Sequence, residues 1–214
     1  MSSIIFHTEE KQVMVATDSL GVSADGGPLN FTTKAHYIPH LRMILAGTGS
    51  GGFADRWYVQ VNSRIVVRGI ENLDAHALGQ LAALWEVHKK EYSLPETATT
   101  TVYHFGFSEC TGLITTFAYR SQNGFCSERL CYGIGVKPEC PIPDGYDLPR
   151  VFKQLMDAQR AVQRSRPAGE PRIYIGGEII VHHLTEPGCS VFILDRFDDY
   201  DADKRMMFER FTRK

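Results

Sequence analysis

Residues 13–22 read VMVATDSLGV, and residues 31–52 read FTTKAHYIPHLRMILAGTGSGG. In the first, an apolar run ends on Asp18 and gives way to a Ser–Leu–Gly segment, the pattern of a strand running into a turn. Residues 19–32, SLGVSADGGPLNFT, are rich in Gly, Ser, Asp and Pro and read as a loop or irregular hairpin. Lys34 then opens a strand pair, TKAHYI and RMILAG, turned at Pro39–His40. The glycines of GTGSGG break that pair into FADRWYVQVNSRI, where Phe53, Trp57, Val61 and Ile65 recur every four positions, one face of a helix.

Working outward, SIIFH (3–7) and QVMVATD (12–18) form a strand pair across the polar turn TEEK. A second helix is expected from about Leu73 to Tyr92, with Leu78, Leu81, Leu84, Trp85 and Val87 on its apolar side, before Pro95. TTVYHFGF (100–107) puts Tyr103, Phe105 and Phe107 on one face, TGLITTFAYR is its hairpin partner, and ERLCYGIGV reads as one more strand. A Pro-rich stretch, 137–149, leads to a third helix from Val151 to about Ser165, burying Phe152, Leu155, Met156 and Val162. RIYIGGEIIVHHL and CSVFILDRF are two last strands, and DKRMMFERF (203–211) a short amphipathic helix.

Long helices grouped between runs of hairpins do not give β-α-β alternation. They fit an α+β body, two antiparallel sheets stacked face to face with helices outside: a four-layer αββα sandwich. With 214 residues and no repeat or linker, residues 1–214 are expected to form a single domain.

Composition narrows the functional classes. A net charge of −2 lacks the basic surplus of a nucleic-acid binder. No apolar run is long enough to span a bilayer, and no signal peptide is expected. Five cysteines without a C-x-x-C pair read as thiols of a cytoplasmic protein. Adjacent His182 and His183 point to opposite strand faces and cannot share a metal, so no metal or cofactor is expected. Gly47, Gly49 and Gly52 spell G-x-G-x-x-G between a strand and a helix. That would suit a nucleotide, but no acidic residue ends a second parallel strand.

Taken singly, Asp18 reads as a turn-capping aspartate and Lys34 as an exposed edge lysine. Together with the AGTG turn they resemble the amino-terminal signature of proteasome β-type subunits and their bacterial homologues, among the N-terminal-nucleophile hydrolases. The separation from chain start to acid, and from acid to lysine, matches with Ser2, Asp18 and Lys34. The resemblance implies that Met1 is removed and that the Ser2 hydroxyl attacks a peptide or amide carbonyl, with its own α-amine as base. Such an amine titrates near pH 7.7–8.0, close to working pH. Lys34 would favour the alkoxide, Asp18 would hold Lys34, and the Gly47 N–H would stabilise the oxyanion, a role worth about 3–4 kcal/mol. Val22, Leu45 and Gly49 would flank the substrate.

The same resemblance implies a homo-oligomeric ring, with an unfoldase partner unspecified. The chain departs from the pattern in EPRIYIGG, which lacks the Asp and Ser expected before Gly176–Gly177, and at Leu20, where an arginine is usual. An inactive ring subunit serving as a binding shell is the alternative reading, and nucleotide binding by Gly47–Gly52 a further one.

Overall fold

A computed structural model describes residues 2–23, 26–167 and 169–212. Strands β1 (Ile4–Thr8) and β2 (Gln12–Asp18) are antiparallel neighbours and lie at the centre of one five-stranded sheet. Its order is completed by β10 (Gly133–Lys137) beside β1, and by β11 (Glu178–Thr185) and β12 (Gly188–Arg196) beyond β2. The second five-stranded sheet runs β5 (Ala35–Ile38), β6 (Met43–Gly49), β7 (Thr100–Phe107), β8 (Ile114–Arg120) and β9 (Ser127–Arg129), antiparallel throughout. A small hairpin, β3 (Leu20–Val22) with β4 (Pro28–Phe31), occupies the glycine-rich segment.

The two sheets stack face to face. Ile4, Phe6, Val13 and Val15 from one meet Ile44, Tyr103 and Phe105 from the other. Helices α1 (Phe53–Ser63) and α2 (Ile70–Glu91) cover the outer face of the second sheet, through Trp57 and Leu81 against Leu45, Val102 and Tyr119. Helix α3 (Val151–Arg164) covers the first, placing Phe152, Leu155 and Met156 on Ile5, Ala16 and Val181. The result is the αββα sandwich. Every residue of β7 is buried, because it is sandwiched between helices and the opposite sheet. Tyr103, Phe105 and Phe107 turn inward, while Val102 and His104 turn to the helices. Helix α4 (Tyr200–Thr212) packs on β4, and Tyr200 stacks on Phe31 with ring centroids 4.7 Å apart.

Some local expectations change. The buried face of α2 is Ile70, Leu73, Ala77, Leu81, Trp85 and His88, whereas Leu78 and Val87 are 46% and 54% exposed. The buried positions recur three or four residues apart from Ile70 to His88, and at 3.6 residues per turn Leu78 and Val87 fall outside that stripe. On α3, Val162 is exposed, and Gln159 and Gln163 take the buried positions. The stretch 128–136 is not one strand: β9 pairs with β8 in one sheet and β10 with β1 in the other, so the chain crosses between layers at 130–132. Residues 172–177 are irregular, and β11 starts only at Glu178.

Candidate active site

The β1–β2 register sets Ile4 opposite Thr17, which brings Ser3 beside Asp18 at one end of the first sheet. Asp18 has no exposed surface, and each of its oxygens is used. Oδ1 accepts the Ser3 N–H at 2.8 Å and the Lys34 Nζ at 2.8 Å, and Oδ2 accepts the Gly176 N–H at 3.2 Å. Lys34 donates a second bond to the Leu20 carbonyl at 2.7 Å. A buried carboxylate is tolerated on these terms, paired and hydrogen-bonded. Two of the three ammonium donors of Lys34 are thereby engaged.

Gly176 and Gly177 serve this arrangement through their backbone. The Gly176 carbonyl accepts the N–H groups of both Ser19 and Leu20, at 3.2 and 3.1 Å. Gly177 has φ +79°, and a Cβ there would stand 2.3 Å from the Ser19 Oγ. The Asp and Ser missing from EPRIYIGG therefore leave a contact of main chain with Asp18, which no side-chain pattern announces.

In front of the ion pair lies an open cleft of about 400 Å³. Ser2, Val22, Lys34, Gly47 and Gly49 all line it, while Asp18 sits behind Lys34. Leu45, expected to flank a substrate, does not: it has no exposed surface and packs in the layer beneath α1 and α2. Alternation along β6 turns its side chain toward the helices. Gly47 allows α1 to seat closely, since a Cβ there would come within 2.4 Å of the Ala54 Cβ. Its N–H, expected to hold an oxyanion, already donates to the Lys34 carbonyl in a long 3.3 Å bond. Met1, whose removal is expected, lies outside the described residues.

Two further pairs at this cleft escaped the sequence reading. Ser50 lines the cleft and meets the His88 Nε2 at 3.1 Å. The other ring nitrogen faces the Arg56 guanidinium at 3.5 Å, so Nδ1 is the acceptor and Nε2 carries the proton. His88 therefore donates to Ser50 and is no base for it. Burial, reinforced by Arg56, holds the His88 pKa below its ordinary value. Asp55, in the first turn of α1, lines the cleft and bonds the His36 Nε2 at 2.7 Å, with His36 stacked on Tyr58. Helical spacing carries Asp55 to the cleft, but nothing in the sequence pairs it with a strand histidine.

The nucleotide reading of Gly47–Gly52 fails on topology. β6 is antiparallel to both of its neighbours, so the turn does not belong to a parallel β-α-β unit. Among the described residues no group of three or more His, Cys, Asp or Glu is arranged to hold a metal ion, and no helix is long and apolar enough to cross a membrane.

No protein-family model matches this chain, and no curated protein matches it. Solved structures do. Anbu (ancestral beta-subunit) from Yersinia bercovieri superposes with a TM-score of 0.58 over 99% of this chain and 94% of that one, at 11% sequence identity. The likeness is one of fold. It gives the αββα body a proteasome-like architecture. It also corrects the resemblance to proteasome β-type subunits and their bacterial homologues: with no family model matched and 11% identity, membership of that family does not stand. The shared signature rests on a few positions, an acid, a lysine and a glycine turn, which this fold accommodates without close kinship.

Proposed function

We propose that the protein is an N-terminal-nucleophile hydrolase that cleaves peptide or amide bonds, with Ser2 as nucleophile once Met1 is removed. One observation carries the reading: Ser2 and Lys34 line one cleft, and a single buried oxygen, Asp18 Oδ1, bonds both Lys34 Nζ and the Ser3 N–H. In this reading the Ser2 α-amine takes the hydroxyl proton, directly or through water, as Oγ attacks the carbonyl. The third Lys34 donor is left to stabilise the alkoxide. The Gly47 N–H, shared from its long bond, and the N-terminus of α1, which has no side-chain cap, stabilise the oxyanion. Val22 and Gly49 flank the substrate.

Self-association belongs to the same proposal, as a homo-oligomeric ring. The edge strand β12 supports it, because Val191, Phe192 and Ile193 are 55%, 37% and 52% exposed on an unpaired edge. So does the fold likeness to the Yersinia protein, itself named a subunit. Cytoplasmic location is proposed from five free cysteines, three of them exposed. The competing reading, a ring subunit without catalysis, draws on the Gly47 N–H being already engaged.

Intact mass and peptide hydrolysis separate the two. The hydrolase reading predicts loss of Met1 and turnover of peptide substrates that Ser2→Ala abolishes. A retained Met1, or turnover unchanged in Ser2→Ala, contradicts it.

A further inference from the structure

Gln159 is a glutamine where α3 would be expected to present an apolar side chain. It follows Val151, Phe152, Leu155 and Met156 along the face that packs on the first sheet, and it has no exposed surface. A buried primary amide is costly unless its groups are bonded, so its partners identify what it is for. There are two. Its Nε2 donates to the Pro138 carbonyl at 2.6 Å, and its Oε1 accepts a short hydrogen bond from the Ser3 Oγ.

The direction of these bonds is fixed by chemistry. A carbonyl oxygen can only accept, so the amide nitrogen of Gln159 must face Pro138 and the amide oxygen must face Ser3. Ser3 is then held on both of its donors, the N–H by Asp18 Oδ1 and the Oγ–H by Gln159. The N–H of Ser3 belongs to the peptide unit that joins it to Ser2. Fixing that unit leaves the Ser2 amine and hydroxyl only the rotations about Ser2's own bonds. Pro138 follows the last residue of β10, and β10 pairs with β1 through Ile4 and Lys137. The amide thus braces β1 from the helix layer, at the end where the cleft lies.

We infer that Gln159 is a positioning residue for the amino-terminal nucleophile: it locks Ser3, and through Ser3 it sets the direction in which Ser2 presents its amine and hydroxyl to the cleft. The inference rests on the proposed hydrolase reading for its catalytic consequence, and on the hydrogen bonds alone for its structural one. It supplies from α3 a side-chain support for the amino terminus that EPRIYIGG lacks. Ser3, the residue just before β1, becomes the link.

The test compares wild type with Gln159→Leu, Ser3→Ala, the double variant and Gln159→Glu, using an epoxyketone probe and the backbone order parameter of the Ser3 amide. A displacement of about 1 Å at a reacting group is enough for a loss on the order of 100-fold. Gln159→Leu is therefore expected to slow covalent labelling about 10- to 100-fold, with the half-saturating probe concentration unchanged. Ser3→Ala should do the same, and the double variant should be no slower than either, because both remove one link. Gln159→Glu adds a readout that loss of packing would not give. A neutral carboxylic acid can donate to Pro138 and accept from Ser3, whereas a carboxylate opposes the Pro138 carbonyl. Labelling by that variant should recover, relative to wild type, as pH falls.

Labelling of Gln159→Leu at the wild-type rate overturns the inference. If the wild type itself is never labelled, the hydrolase reading fails separately, and the Ser3 amide decides the positioning. Its order parameter should fall from about 0.85 to below about 0.6 in Gln159→Leu if Gln159 holds it. An unchanged value overturns the inference.

Discussion

Asp18 and Lys34 form a buried ion pair in which the aspartate has no exposed surface and the lysine side chain 9%. Removing one partner leaves the other charge buried, at a cost of about 3–5 kcal/mol. Asp18→Ala should lose stability in that range by denaturant unfolding, because Lys34 would keep only the Leu20 carbonyl. A loss below about 1 kcal/mol would mean that water reaches the pair. Leu45 and Val22 make the opposite pair of cases at this scale. Leu45→Ala should destabilise the fold by about 2–5 kcal/mol while leaving the ranking of peptide substrates unchanged. Val22→Ala, at the cleft wall, should change that ranking with a smaller effect on stability. Taken singly, Asp18 and Lys34 gave no sign of the pair; the resemblance to the proteasome β-type signature implied it. Gln159 was not readable, since a glutamine on a helix gives no sign of a bond to a serine 156 positions away.

The seating of α1 on β6 shows what an element demands of one residue. A Cβ at Gly47 would stand 2.4 Å from the Ala54 Cβ, so Gly47→Ala should cost about 1–3 kcal/mol. Ala54→Gly should recover part of that loss in the double variant, measured as a cycle of unfolding free energies; two independent losses would contradict the packing account. Elements with a clear period were legible from the sequence. Phe53, Trp57 and Val61 mark α1, and Tyr103, Phe105 and Phe107 mark the inward face of β7. The crossing between β9 and β10 was not, because two short strands in different sheets carry the same local pattern as one long strand. The irregular hairpin allowed for in the glycine-rich segment 19–32 is present, but its strand bounds were not legible: β3 and β4 have three and four residues, too few to show alternation.

For the molecule as a whole, burying histidines makes stability depend on pH. Burial lowers the His104 pKa to about 3, and burial together with the neighbouring His36 lowers that of His182 to about 4, from 6.5. The unfolded chain therefore binds more protons between those values, so stability rises with pH across that window. It is fully present above about pH 6.5 and falls as pH drops toward 4 and 3, by at most about 1.4 kcal/mol per pH unit for each histidine. His104→Gln keeps an acceptor for the Trp57 N–H and should flatten the slope of melting temperature against pH; an unchanged slope would contradict the assignment. The layer order was legible from the grouping of hairpins and helices. The proposed chemistry hangs on the first residue after Met1, and covalent labelling tests it most directly. After incubation with a β-lactone or epoxyketone probe, the account predicts one added probe mass, mapped to Ser2 and absent from Ser2→Ala. Labelling that persists in Ser2→Ala, or that maps to another residue, would contradict it.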